Sequence, residues 1–181
     1  MISIGLVETT SIARGIETTD AMLKAGAIEL AFAKPVCPGK FVVLVHGDVG
    51  AVEAALTAGL ERAGGVVVNH LLIPRVHPDV IPALNAVRPA PRAAALGVAE
   101  FFDITSAVVG ADAAAKTGRV ELIEARLGVG IGGKSFFKLC GDLADVEAAV
   151  QAGLAEARRR GVVVASCVIP APDPALFREL L

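Results

Sequence analysis

Asp20-Ala21-Met22-Leu23-Lys24, followed shortly by Glu29-Leu30, returns in the second half of the chain as Asp112-Ala113-Ala114-Ala115-Lys116, followed by Glu121-Leu122. The match spreads outward from there. Ile4-Gly5-Leu6-Val7-Glu8 aligns with Leu96-Gly97-Val98-Ala99-Glu100. After a two-residue insertion, Lys40 meets Lys134, Gly47-Asp48 meets Gly141-Asp142, and Val52-Glu53-Ala54-Ala55 meets Val146-Glu147-Ala148-Ala149. A second insertion of two precedes Gly65–Val68 against Gly161–Val164, and Ile73-Pro74 against Ile169-Pro170. Residues 4–84 therefore align with 96–180. Registered identity over a whole half means one structural unit written twice.

Each copy reads β-α-β-β-α-β-α. Ser3–Thr9 is β-rich, and Ile12, Ile16, Met22 and Leu23 fall at helical spacing. Ser11 is placed to cap that helix and Gly26 to stop it. Ile28–Lys34 and Phe41–His46 predict two strands around a Pro-Gly turn. Val49–Ala63 is an Ala-rich helix, Val66–Ile73 an apolar strand, and Pro78–Leu84 a short helical tail. The fold class is α/β (α+β): two ferredoxin-like sandwiches with their helices on one face of each sheet. The expected domains are residues 1–86 and 95–181, joined by a Pro-containing linker over 87–94.

Composition narrows the function. The chain has 181 residues, of which 54% are hydrophobic and 4% aromatic, with no Trp or Tyr. Mean hydropathy is +0.65. With glycine counted, about 64% is apolar, against roughly 45–50% for an average domain. Disorder is excluded, because so apolar a chain can offset its ordering entropy. The charge-free runs Ala63–Pro74 and Val162–Pro172 are far short of the roughly 20 residues of a spanning helix. The missing solvent is expected to be another protein chain. Net charge is −2, and Arg158-Arg159-Arg160 reads as a solvated helix end, so nucleic acid is not an expected partner. The N-terminus lacks the pattern of a signal peptide, so a cytoplasmic location is the expectation. Cys37, Cys140 and Cys167 are odd in number and lack C-x-x-C spacing, which argues against a disulfide framework.

Few motifs carry chemistry. Gly128-Val129-Gly130-Ile131-Gly132-Gly133-Lys134-Ser135 fits the phosphate-loop pattern G-x-x-x-x-G-K-S. That chemistry needs a helix to follow, and Phe136-Phe137-Lys138-Leu139-Cys140 has strand composition instead. The stretch reads as a glycine hairpin tip. Cys37 lies in Lys34-Pro35-Val36-Cys37-Pro38-Gly39-Lys40, a turn that can hold its sulfur rigidly outward. One cysteine cannot fill a thiolate site unless several copies meet on an axis. Cys140 and Cys167 fall in strand runs and are expected in the core. Asp48 and Asp142 precede helices as caps or turn residues. His46, His70 and His77 have no metal spacing, and no nucleophile–base pair is present, so no enzyme activity is expected.

Asp20–Leu30 resembles the signature helix-to-strand segment of bacterial microcompartment (BMC) shell domains. Gly47-Asp48-Val49, Gly141-Asp142-Leu143, Ile73-Pro74-Arg75-Val76-His77-Pro78 and Gly130-Ile131-Gly132-Gly133-Lys134 are also similar to that family. The likeness covers the chain twice over. It implies a homotrimer of tandem domains that mimics a hexagon, a pseudohexamer, and tiles with other shell proteins around metabolic enzymes. The implied pore-lining residues are Val36, Cys37, Pro38 and Gly39 in the first copy and Gly130, Ile131, Gly132 and Gly133 in the second. The resemblance further implies one 4Fe–4S cluster per trimer, held by Cys37 of three subunits. That cluster would serve electron transfer across the shell, with an encapsulated redox enzyme as a partner. Lys24, Lys116 and Arg75 match tile-edge positions. The second copy has Ala171 where the first has Arg75, so the two edges should differ. Two other readings compete with this one. One is a tile whose pore conducts metabolites and holds no cluster. The other is a ferredoxin-like small-molecule sensor using Gly128–Ser135.

Overall fold

A computed structural model describes residues 2–89 and 94–179. The chain divides into two compact units, Met1–Val76 and His77–Leu181.

The first unit runs β1 (Ser3–Thr9), α1 (Ile12–Ala25), β2 (Ile28–Val36), β3 (Lys40–Gly47), α2 (Val49–Ala63), a 3₁₀ turn (Gly64–Val66) and β4 (Val67–Ile73). Its sheet has the order β2-β3-β1-β4, antiparallel throughout. Alternate residues of β1 and β3 (Val7, Val43, Val45) point into a core with Met22 of α1 and Val52, Ala55 and Leu56 of α2. This is the period-2 face of a strand meeting the 3.6-period stripe of a helix. Gly5 permits the close approach of α2, since a Cβ there would lie 2.8 Å from Val52 Cγ1. The predicted caps hold: the Ser11 hydroxyl accepts from Arg14 N–H at 3.3 Å, and the helix ends before Gly26.

The second unit starts with α3 (Val80–Asn85) and continues β5 (Ala95–Phe101), α4 (Ile104–Thr117), β6 (Val120–Leu127), β7 (Ser135–Gly141), α5 (Leu143–Ala157), β8 (Val163–Pro170) and α6 (Pro174–Glu179). The sheet order, β6-β7-β5-β8, repeats the first. Even the bulge recurs, between Leu30 and Phe32 in β2 and between Leu122 and Glu124 in β6. The ferredoxin-like α+β architecture expected of each copy is present. Gly97 repeats the role of Gly5, with Val150 Cγ2 2.7 Å from a built Cβ.

The contact units meet between Val76 and His77, and α3 packs on β6 rather than on the first sheet. Hydrogen bonds decide this: His77 N–H donates to Asp112 Oδ1 at 2.8 Å, and Arg88 N–H to the Ile123 carbonyl at 2.8 Å. Arg88 also pairs with Asp79 at 3.0 Å. Of the expected linker over 87–94, residues 90–93 lie outside the described residues. Cys167 also departs from expectation. It is exposed, because β8 is an edge strand with residues 165–167 open to solvent, whereas Cys140 is buried as expected.

Candidate functional site

The residues singled out as pore-lining occupy the β2–β3 and β6–β7 connections. In the first unit, Gly39 N–H donates to the Val36 carbonyl at 3.0 Å and closes a four-residue turn over Val36–Gly39, within which the Cys37–Pro38 peptide is cis. Gly39 adopts φ 88°, which favours glycine. Val36 is buried as the anchor of the turn, Cys37 is half-exposed, and Pro38 and Gly39 are exposed. The strand pair thus holds the thiol at its tip.

The second unit's loop is longer and built from glycine. Gly128, Gly130, Gly132 and Gly133 all have positive φ, between 65° and 84°. Gly128 N–H donates to the Lys134 carbonyl at 3.0 Å, and Lys134 N–H to Ile131 at 3.3 Å. β7 follows at Ser135, so no helix N-terminus faces the loop and the phosphate-loop pattern lacks its anion site. The sensor reading loses its motif.

Sequence reasoning noted Glu8/Glu100 and Lys40/Lys134 as repeats but did not pair them. In each unit the lysine that closes the loop reaches back to the glutamate of the central strand. Lys40 Nζ lies 2.5 Å from Glu8 Oε1, and Lys134 Nζ 2.5 Å from Glu100 Oε1. The Glu8 side chain is 1% exposed and that of Glu100 30%. The available signal was joint recurrence at the same repeat positions. Beside the first loop, Lys34 sits over the Phe32 ring at 4.4 Å, and burial lowers its pKa. Cys140 is a different kind of thiol. Burial, with Glu121 adding to it, raises its pKa to about 11 and keeps it protonated.

The edge residues are also placed unequally. Lys24 pairs with Asp20 at 2.6 Å in the open, while Lys116 makes the same 2.6 Å pair with an Asp112 that is nearly buried. Arg75 is exposed at φ 53°, and its counterpart Ala171 takes φ 46°, so the turn is kept where the charge is not. Among the described residues no group of three or more His, Cys, Asp and Glu side chains can hold a metal ion within one chain. No helix among them is long and apolar enough to cross a membrane.

The BMC-domain model matches residues 3–76 and 95–172. The chain belongs to the BMC-domain family. Both BMC matches sit on the four-stranded units, and the first ends where the first compact unit ends. The bacterial microcompartment shell protein PduT of Citrobacter freundii is 37% identical over 179 residues, 99% of this chain and 97% of that one. The carboxysome shell protein CsoS1 of Prochlorococcus marinus is 42% identical over 87 residues, 46% of this chain and 84% of that one. The crystal structure of a microcompartment protein from Desulfitobacterium hafniense DCB superposes with a TM-score of 0.92 at 53% identity, covering 98% of this chain and 99% of that one. The protein is thus a structural BMC shell protein with two tandem domains, and its place is the shell of a bacterial microcompartment.

Proposed function

We propose that three copies of this BMC protein form a pseudohexameric tile whose central pore is lined by Val36–Gly39 and Gly130–Gly133, and that the three Cys37 thiolates together hold one 4Fe–4S cluster there. The supporting observation is the placement of Cys37. Its half-exposed thiol sits at the tip of a closed turn, and among the described residues it belongs to no group of three or more His, Cys, Asp and Glu side chains that could complete a site within one chain. A threefold axis supplies the missing thiolates, and the fourth iron then takes a non-protein ligand. Such a cluster supplies one-electron transfer at the shell boundary, and an encapsulated redox enzyme is its natural partner. The chain's own part is positioning. Glu8 and Lys40 tie the turn to the central strand, and the glycines of the second loop keep side chains away from the axis. Lys24, Arg75 and Lys116 serve the tile edges, where other shell proteins meet this one.

Anaerobic purification with iron and sulfide assays tests the cluster. About four irons per trimer are expected in the wild type, and Cys37→Ser should keep the trimer but lose the iron. A wild type that stays iron-free after reconstitution would sink the cluster and leave a tile whose pore passes metabolites.

A further inference from the structure

Arg158-Arg159-Arg160 follows the last residue of α5, and the backbone there is held rather than frayed. The amides of Arg158, Arg159, Arg160 and Gly161 each donate back into the final turn of α5, at 2.9–3.2 Å. Gly161 then passes so close to the start of α4 that a Cβ on it would run into Asp103 Oδ2 and Ser106 Oγ. Phe102 N–H donates to the Val162 carbonyl at 3.1 Å, which ties the turn to the residue after β5. Arg160 and Val162 therefore flank a clamped glycine.

Two guanidiniums and two apolar side chains are left open at this junction. Arg159 pairs with Glu156 at 3.0 Å, whereas Arg158 and Arg160 are exposed and have no acidic partner among the described residues. Asp103 does not serve them. Its Oδ1 accepts from Ser106 N–H at 2.7 Å and from the Thr105 hydroxyl at 2.9 Å, and its Oδ2 is buried. Phe102 and Val162 are each 60% exposed. The first unit closes the same junction differently. Thr10 N–H donates to the Val66 carbonyl at 2.9 Å, as Phe102 does to Val162, but Thr10 is polar and Val66 is half-buried. Its arginines, Arg14 and Arg62, both pair with Glu17, at 2.5 and 3.3 Å. One unit neutralises its cations here, and the other leaves them open next to apolar side chains.

We propose that this patch docks an acidic, apolar peptide segment of a partner protein, with its carboxylates on Arg158 and Arg160 and an apolar side chain on Phe102 and Val162. Planar guanidiniums take carboxylates in bidentate pairs. Arginine and aromatic residues are the types that carry most of the binding energy at interfaces. A helix C-terminus favours cations, but that preference does not account for two open apolar groups beside them. Nucleic acid fits less well, because two free cations neutralise few phosphates. The surface is small, so the contact is a weak and exchanging one. The assignment stands apart from the Cys37 cluster and does not depend on it.

Fluorescence anisotropy with the full-length protein tests the assignment. The probe is a labelled peptide of glutamate interspersed with leucine and phenylalanine. The controls are the same peptide with glutamine in place of glutamate, and inorganic polyphosphate as a competitor. The acidic peptide is expected to bind, and less tightly as salt is raised. Joint Arg158→Gln and Arg160→Gln should weaken it at least about fivefold, and so should Phe102→Ser. Arg159→Gln should change it less than about twofold, because Glu156 already holds Arg159. Circular dichroism and the mass in solution should stay those of the wild type in every variant. No binding tighter than about 1 mM, equal binding of the glutamine peptide, or wild-type affinity in the double arginine variant overturns the proposal. Displacement by polyphosphate together with an inert Phe102→Ser makes the patch a plain polyanion surface and overturns the peptide assignment. A changed mass in the double arginine variant makes it a contact between copies and overturns it as well.

Discussion

In the first unit the layer beneath the crossing of α1 and α2 is filled by a helix side chain, while Phe41 of β3 packs under Gly15 of α1. Met22 of α1 is fully buried over Val43, and Thr9 lies nearby on the sheet. In the second unit Ala114 stands at the position of Met22, while Phe137 and Phe101 replace Val43 and Thr9, with ring centroids 5.8 Å apart. At these positions volume has moved from the helix to the sheet. Lost with that move is the ability to yield. A methionine re-packs around an intruder, whereas aromatic rings under a close helix crossing do not. The second unit shows this at Gly110 and Gly153, where α4 and α5 approach so closely that a Cβ on Gly153 would lie 2.7 Å from the Gly110 carbonyl oxygen and 2.9 Å from Phe137 Cζ. At the equivalent Gly59 the neighbour is the Met22 side chain, at 2.6 Å.

Gly153→Ala and Gly59→Ala are expected to separate the two units most widely. The first must move backbone, so the clash outweighs the roughly 1 kcal/mol that alanine gains in a helix, and a net loss of up to about 3 kcal/mol is expected. The second meets Met22 Cγ at 2.6 Å and Sδ at 3.0 Å, so a buried side chain rather than backbone must shift, and with the propensity gain set against it a smaller loss of about 1 kcal/mol is expected. Denaturant unfolding of the full chain separates the two. Equal losses would mean that both crossings are equally rigid.

The repeat made the fold legible. One copied stretch around Asp20–Leu30 fixed the helix-to-strand transition, and the caps at Ser11 and Gly26 set the ends of α1 where they are observed. Asp48 and Asp142 occupy N-cap positions, yet their side chains make no capping bond, and their carbonyls accept from Val52 and Val146 instead. Three features escaped. The allegiance of α3 depends on His77 and Arg88 hydrogen bonds across more than thirty residues. The solvent exposure of Cys167 follows from its edge strand, and strand order is not written in local pattern. The loop-base ion pairs join β1 to the first residue of β3 and β5 to the residue just before β7, so they needed the register Glu8–Val42 and Glu100–Phe136 before they could be seen.

Those ion pairs give the next contrast. Glu8 is buried against a mostly covered Lys40, and Glu100 meets Lys134 partly in water. Glu8→Gln keeps the size and removes the charge, so the charge-assisted share of the contact is lost, about 1–2 kcal/mol. Glu100→Gln should cost under about 1 kcal/mol, the range of exposed pairs. The readout that sets a positioning role apart from plain stability is the rate at which Cys37 reacts with a thiol reagent. It should rise in Glu8→Gln at temperatures well below unfolding and stay unchanged in Glu100→Gln. An unchanged rate in both would free the Cys37 turn from its ion pair.

The smallest contrast lies at the starts of α1 and α4. Ser11 accepts from Arg14 N–H over a long 3.3 Å. Asp103 accepts from Ser106 N–H at 2.7 Å, and the same oxygen also receives the Thr105 hydroxyl at 2.9 Å. A carboxylate at a helix N-terminus adds its interaction with the dipole to the hydrogen bond. Asp103→Ala is therefore expected to cost about 1 kcal/mol, and Ser11→Ala about 0.5 kcal/mol, at the lower end for a lost cap. Raising the salt concentration should narrow that difference, because only the Asp103 contribution carries charge. Thermal unfolding of both variants at low and high salt checks this. A difference that survives high salt would assign the stronger cap to bond geometry alone, the 2.7 Å against the 3.3 Å contact.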